Sequence, residues 1–147
     1  MATDVIERWF RLIWDDSGGT IRDLSGDLVP GSVTGGGKTL DEEEMTGVSE
    51  EMKNFLAGQA NSEITAQFYL NDTLITGSWQ VLLRTVNTVG TLTLQFGTGA
   101  APSNPDPEWE GEYLLLAAPL GLNGNKIVMN CRWLPGTSTS PVWGTVT

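Results

Sequence analysis

The sequence predicts a single mostly β domain over residues 1–147, a β-sandwich or barrel of about seven to nine antiparallel strands with one or two short flanking helices. Its 18 glycines and 7 prolines are spread along the chain and favour frequent turns over long helices. Several segments alternate apolar and polar residues, which is the pattern of half-buried strands. The 147 residues show no internal repeat and no domain linker, so one core is expected.

The first predicted strand covers residues 5–14, which are rich in aromatic and β-branched types and run into a turn-forming segment at residues 15–19. A short strand at residues 20–22 would complete a hairpin, and a loop follows. Large apolar groups on both faces of the first strand indicate that both faces contact protein, within the subunit or across a subunit contact. Trp9, Arg11 and Ile13 are therefore candidate subunit-interface residues.

Three consecutive glycines, Gly35, Gly36 and Gly37, precede a predicted acidic strand at residues 38–46. Such a triplet leaves an isolated backbone mobile. Two interpretations stay open. The segment is either a plain flexible loop or a segment that becomes ordered only against a neighbouring subunit.

Residues 48–58 carry the clearest helical pattern in the chain. Ser49 is placed to cap the first turn, and Gly58 supplies a C-terminal stop. Glu50 and Glu51 suit the positive end of the helix dipole. The apolar face that would pack on the sheet comprises Val48, Met52, Phe55 and Leu56.

The second half of the chain reads as strands separated by turns. In residues 63–70, Ile64, Ala66 and Phe68 alternate with polar residues, which predicts a half-buried strand. Residues 78–86 predict a short helix capped by Ser78, with a strand as the alternative. Further strands are expected at residues 90–96, 108–118, 126–133 and 142–146, with a loop at 97–107 and a hairpin turn at Asn123 and Gly124.

Composition argues against nucleic-acid binding and against most catalytic chemistry. Eighteen acidic side chains outnumber eight basic ones, and a net charge of −10 repels phosphates. The absence of histidine excludes His-based triads, metal sites and general bases. Cys131, the single cysteine, has no disulfide partner within the chain and lies in an apolar pattern that predicts a core thiol. We expect no enzymatic activity, no metal and no cofactor.

The N-terminus has no signal-peptide pattern and no segment reaches membrane-spanning length. Synthesis in a cytoplasm without membrane insertion is therefore expected.

Two motifs have a possible chemical meaning. The Gly-Lys-Thr at residues 37–39 lacks the first glycine of a P-loop, because that position is Ser32. Glu108, Glu110 and Glu112 would suit a glycosidase only if they faced one another across a cleft. Their alternation along one strand instead places them on one face, which is typical of a solvated or lumen-facing strip. Six tryptophans keep a carbohydrate-binding module open, although they do not cluster on one strand face.

Several short motifs follow one another in a distinctive order. They are Asp23-Leu24-Ser25, Glu44-Met45-Thr46, Asn54-Phe55-Leu56-Ala57-Gly58 and Ile64-Thr65-Ala66-Gln67-Phe68-Tyr69, followed by residues 129–136 at the end of a late strand. In this order the sequence resembles the major tail tube proteins of long-tailed bacteriophages and related prophages, over most of its length.

The resemblance implies a structural virion protein whose copies form homo-hexameric rings that stack into a hollow tail tube. An extended loop around residues 32–47 would reach the adjacent ring through Gly35, Gly36, Gly37, Lys38 and Leu40. The residues expected to face the lumen are Asp41, Glu42, Glu43, Glu44, Glu63, Thr65 and Gln67. An acidic lumen would let DNA pass without phosphate contacts that hold it back.

The partners that the resemblance implies are further copies of the chain and the tape-measure, tail terminator and tail tip proteins. The virion would be assembled in the host bacterial cytoplasm. Two other functions stay open. One is another virion component, such as a capsid decoration protein or a tail terminator or connector, and the other is a carbohydrate-binding β-sandwich module.

Overall fold

A computed structural model describes residues 9–15, 21–49, 51–53, 55–73, 77–137 and 139–147. Within these ranges the chain forms ten strands and one α-helix, so the predicted mostly β class is confirmed. The elements are β1 (Phe10–Asp15), β2 (Ile21–Asp23), β3 (Thr39–Glu44), β4 (Phe55–Asn61), β5 (Ile64–Tyr69), α1 (Ser78–Thr85), β6 (Val89–Phe96), β7 (Pro107–Ala117), β8 (Leu120–Asn123), β9 (Lys126–Pro135) and β10 (Val142–Thr145).

Eight of the strands form one antiparallel sheet, in which six follow one another in the order β2-β1-β6-β7-β9-β5. The other two are the short strands β10 and β8, which pair with the first half of β7 and the first half of β9 respectively. The chain covers the outer edge of β5 itself: the Val29 N–H donates to the Gln67 carbonyl at 2.9 Å, and Thr34 and Thr65 exchange two backbone hydrogen bonds. Covering an edge in this way removes a template for unwanted strand pairing.

The core lies between one face of this sheet and helix α1. The alternation predicted for residues 63–70 is confirmed, because Ile64, Ala66 and Phe68 are buried while the residues between them are not. Aromatic rings fill the centre, with Trp14 and Trp133 centroids 5.9 Å apart. Cys131 is buried, as its apolar pattern predicts. Its thiol pKa is raised to about 12 because burial removes the water that would solvate a thiolate.

Three buried hydrogen bonds join polar side-chain atoms inside the core. The Trp14 indole N–H donates to the Thr85 hydroxyl at 3.1 Å, which ties β1 to the last turn of α1. The Trp109 indole N–H donates to the Tyr113 hydroxyl at 2.8 Å, and that hydroxyl also lies 2.8 Å from the Ser62 hydroxyl. The polar atoms of Trp14, Trp109 and Tyr113 are therefore satisfied inside the sandwich, whereas the buried Trp133 indole N–H has no hydrogen-bond partner among the described residues.

The predicted helix at residues 48–58 is wrong. Residues 55–61 form β4, which pairs with β3 so that Phe55 lies opposite Glu44 and Asn61 opposite Thr39. Val48 and Ser49 lie in a turn, and Met52 is 79% exposed, so no apolar helix face is buried here. Pairing with β3 satisfies the backbone groups of both strands, and this non-local gain outweighs a helical pattern that depends on local propensity alone.

Two smaller predictions also need correction. Helix α1 lies where a helix was predicted, but its N-cap is Gly77, and the Ser78 hydroxyl donates to the Tyr69 carbonyl at 2.6 Å instead of capping the helix. The hairpin between β8 and β9 turns at Gly124 and Asn125, because Asn123 already pairs with Lys126. Gly124 has a φ of +63°, which such a tight turn requires.

The remaining predicted strands are present at nearly the expected bounds. The part of the first predicted strand at residues 5–8 lies outside the described residues. No helix in the described part of the chain is long and apolar enough to cross a membrane.

Candidate functional site

A two-stranded arm is the most distinctive surface feature of the subunit. We use "the arm" for β3, β4 and the segment that joins them; residues 50 and 54 of that segment lie outside the described residues. The two strands form a separate sheet, and all six residues of β3 are exposed. A two-stranded sheet on its own is only marginally stable in water. The arm is therefore a structure suited to packing against something else.

The three predicted loop glycines lie at the base of the arm. Gly35, Gly36 and Gly37 have φ values of +116°, +89° and +84°, a backbone region that other residues rarely adopt. A Cβ atom at Gly35 would lie 2.3 Å from the Glu63 carbonyl oxygen. The triplet therefore forms a defined turn that leads the chain from the edge of β5 into the arm. This differs from the plain flexible loop that was one of the two interpretations of the sequence. The predicted loop is the first half of a longer hairpin that extends to Asn61.

The arm exposes both carboxylates and large apolar side chains. The acidic run predicted to face a lumen, Asp41, Glu42, Glu43 and Glu44, lies on β3 and is exposed throughout. The exposed apolar residues are Leu40, Met45, Val48, Met52 and Leu56. Glu43 lies directly opposite Leu56, so charge and apolar surface occur side by side. This much apolar surface on one thin projection is typical of an interaction site.

The other predicted lumen residues occupy a different surface from the acidic run. Thr65 and Gln67 lie on the polar face of β5 in the large sheet, and Glu63 directly precedes this strand. Glu63 forms a salt bridge with Arg132 at 2.7 Å, and the Gln67 amide donates to the Asn130 side chain at 2.6 Å. The structure thus divides the predicted lumen set between the arm and this sheet face.

The same polar face carries a carboxylate row on β7. Glu108, Glu110 and Glu112 share one face of the strand, as their alternation predicts. Each accepts a hydrogen bond from a neutral side chain of β6, and the donors are Gln95, Thr93 and Thr91 respectively. None of the three carboxylates forms a salt bridge within the described residues. The row is a strip of negative charge held by neutral donors of β6.

The predicted subunit-interface residues lie along β1. Trp9, Arg11 and Ile13 are each half-buried. The Trp9 carbonyl accepts a hydrogen bond from the Gly97 N–H at 2.9 Å, and Ile13 lies between Thr93 of β6 and Asp23 of β2. Their side chains are partly covered within the subunit, and their contact with another subunit stays a prediction.

A second exposed apolar surface lies at the far end of β5 and β9. We call it the end patch; it comprises Leu70, Leu120, Leu122 and Ile127, all of them exposed. Leu122 lies opposite Ile127, and the Leu70 N–H donates to the Ile127 carbonyl at 3.1 Å. Ile127 continues the alternation of Met129 and Cys131 along β9, but the core ends before this residue. Next to the patch, the Lys126 ammonium lies 4.7 Å from the centre of the Tyr69 ring.

The described residues do not form an evident metal site. They contain no cluster of three or more residues that would hold a metal ion. Of the six tryptophans, Trp14, Trp109 and Trp133 are core residues, while Trp143 is exposed and contacts the Trp109 ring at a centroid distance of 5.1 Å. Three of the six tryptophans on which the carbohydrate-binding alternative rested are thus buried in the core.

The sequence matches no protein-family model, and no curated protein matches it. Among solved structures, the fold is similar to that of a chain in the baseplate of the anti-feeding prophage, a cryo-EM structure symmetrised six-fold. The two chains share 15% sequence identity and a TM-score of 0.68, over 100% of this chain and 99% of the other. The match extends over nearly the full length of both chains, so the similarity concerns the fold of the subunit as a whole.

Proposed function

We propose that the chain is a structural, non-catalytic subunit of a phage tail, and that homo-hexameric rings of it stack into the tail tube. The observation that carries this proposal is the arm, a two-stranded hairpin with exposed apolar residues, in which all six residues of β3 are exposed. Two further findings support it. The fold matches that of a component of a prophage baseplate, and that baseplate was symmetrised six-fold.

In this proposal the arm is the contact between rings. The glycine triplet directs the chain out of the body at Lys38, and Leu40 is the first of the apolar side chains that the next ring would cover. Lateral contacts within a ring would involve Trp9, Arg11 and Ile13 on β1. Arg11 lies opposite Gln95 and Ile13 opposite Thr93, so these contacts would lie beside the carboxylate row on the same face of the sheet. The other partners would be the tape-measure, tail terminator and tail tip proteins of the same virion, which is assembled in the host bacterial cytoplasm.

The polar face of the large sheet is the surface we assign to the channel. It carries Glu63, Thr65 and Gln67 together with the carboxylate row of β7. The acidic run of the arm would add negative charge where two rings meet. Because bound phosphates would slow DNA in proportion to the number of cationic contacts, a channel of net negative charge favours passage without specific binding.

The fold similarity also favours a second role, because the matching chain belongs to a baseplate. This chain would then form a single ring at one end of a tail, as a terminator or connector does, or another part of the virion. Such a ring uses the same lateral contacts but does not continue along the axis.

Negative-stain microscopy of the purified chain at high concentration tests the proposal. Hollow filaments of uniform diameter are the expected result, since self-stacking needs no other component. Isolated rings without filaments would favour the terminator or connector role. A protein that remains a monodisperse monomer at all concentrations, and binds a glycan, would contradict both.

A further inference from the structure

Arg132 is a cationic residue on the polar face of the large sheet, the surface that we assign to the channel. It lies opposite Thr65, so its side chain shares that face with the side chains of Thr65 and Gln67. The Arg132 side chain is 46% exposed, and its Nε donates to Glu63 Oε1 at 2.7 Å. A guanidinium group matches phosphate oxygens in geometry and charge. Arg132 is therefore a place where passing DNA would be held.

The surroundings of Arg132 have the composition of an anion site. Arg132 borders an open trough of about 530 Å³, which Ser32, Thr65 and Asn130 also line with hydroxyl and amide groups. The Gln67 amide donates to the Asn130 side-chain oxygen at 2.6 Å, so the NH₂ group of Asn130 is the part that can donate to a ligand. A guanidinium beside neutral donors in an open trough suits a phosphate group.

We propose that Glu63 closes a latent phosphate site at Arg132 and Asn130, and thereby keeps this face from retaining DNA. The inference rests on the proposed tube, in which this face lines the channel, and it names the residue that determines the exclusion. Glu63 directly precedes β5 and lies two residues before Thr65, which places it on the same face as Arg132. Its carboxylate occupies the Nε–H of the guanidinium, where a phosphate oxygen would otherwise bind, and cancels the charge.

The carboxylate row of β7 is too far away to do this for Arg132. Ala117 is the residue of β7 opposite Arg132, and Glu112, the member of the row closest to it in sequence, comes five residues earlier. That separation is roughly 15 Å along an extended strand. Exposed charges are largely screened beyond about 8 Å at physiological ionic strength. A carboxylate in direct contact is therefore needed to mask this arginine.

A phosphate titration tests the masking. Glu63→Gln keeps the shape of the side chain and removes its charge, and phosphorus NMR of inorganic phosphate at low ionic strength reports binding as broadening of the signal. We expect several-fold more broadening with Glu63→Gln than with the unmodified chain. The thermal unfolding midpoint should stay nearly unchanged, because an exposed ion pair adds little stability. A large fall in the midpoint without any broadening would show a structural role and overturn the inference.

Glu112→Gln is the matched control, since it changes the net charge of the chain by the same amount at a carboxylate that accepts from Thr91. It should leave the phosphate signal as narrow as the unmodified chain does. Equal broadening by the two variants would show that net charge alone excludes phosphate. Equal widths for Glu63→Gln and the unmodified chain would show that Glu63 masks nothing. Either result overturns the inference.

Two further samples identify the site and its ligand. The double variant Glu63→Gln/Arg132→Gln should return the phosphate signal to its original width, and persistent broadening would exclude Arg132 as the anion-binding group. An oligothymidylate without terminal phosphate offers phosphodiesters only, and Glu63→Gln should broaden its signal as well. Broadening of free phosphate alone would overturn the role in DNA passage.

Filament formation is scored separately by negative-stain microscopy. Filaments from the unmodified chain, with no gain of phosphate binding in Glu63→Gln, would overturn this inference and leave the tube standing. A gain of phosphate binding without filaments from the unmodified chain would overturn the tube, and the masking of Arg132 by Glu63 would stand without its role in a channel.

Discussion

Thr39 and Asn61 lie opposite each other at the point where the two strands of the arm leave the body. This pair closes the base of the arm, so everything beyond it can be removed without separating the flanking segments. We predict that replacing residues 40–60 with Gly-Gly, between Thr39 and Asn61, leaves the circular dichroism spectrum of the body and its unfolding midpoint nearly unchanged. Filament formation should be lost. Filaments of normal length from the shortened chain, seen by negative-stain microscopy, would rule out the arm as the contact between rings.

The turn into the arm depends on Gly35. We predict that Gly35→Ala lowers the free energy of unfolding by about 1–3 kcal/mol, because a side chain is strained at this backbone conformation and its Cβ would meet the Glu63 carbonyl. Gly26→Ala is the matched control, since a Cβ at Gly26 meets nothing within 4 Å. Urea unfolding measures both. Equal stability of the two variants would show that the turn is not held in this conformation.

The strands that formed where the sequence predicted them have a local reason to do so. The alternation of Ile64, Ala66 and Phe68 with polar residues is a period-2 pattern that only a strand satisfies. A helix was also predicted at residues 78–86, with a strand as the alternative, and α1 lies there. The strand prediction rests on residues within one element, whereas the choice between helix and strand at residues 78–86 needed the structure.

The arm and the end patch depend on contacts that a single sequence does not display. Residues 48–58 have caps and apolar spacing typical of a helix. Residues 55–61 nevertheless form a strand, because they pair with β3 from Glu44 opposite Phe55 onwards. Ile127 continues the apolar alternation of Met129 and Cys131, yet it is exposed because the core ends before it. Where a strand finds its partner, and where a core stops, are set by the whole sheet.

The Tyr113 hydroxyl joins Trp109 and Ser62 inside the core. We predict that Tyr113→Phe destabilises the fold by about 1–3 kcal/mol, because the Trp109 N–H and the Ser62 hydroxyl would lose a partner where water cannot replace it. Tyr69→Phe should cost much less, since Tyr69 is only half-buried and its ring still lies under Lys126. Denaturant unfolding of the two variants compares them. A similar loss at both positions would show that the buried network contributes no more than ring packing.

The burial of Cys131 predicts a dependence of stability on alkaline pH. Desolvation raises the pKa of its thiol from 9.0 to about 12, so between these values the unfolded chain loses a proton that the folded chain keeps. Stability from this group is complete below pH 9 and declines as the pH rises towards 12. We predict that the free energy of unfolding, measured with urea from pH 8 to pH 11, falls more steeply for the unmodified chain than for Cys131→Ala. Cys131→Ala also leaves a small cavity that lowers stability at every pH. The comparison therefore uses the slope of the free energy of unfolding against pH, and not its absolute value. Parallel curves would mean that the thiol ionises as readily in the folded chain as in the unfolded one.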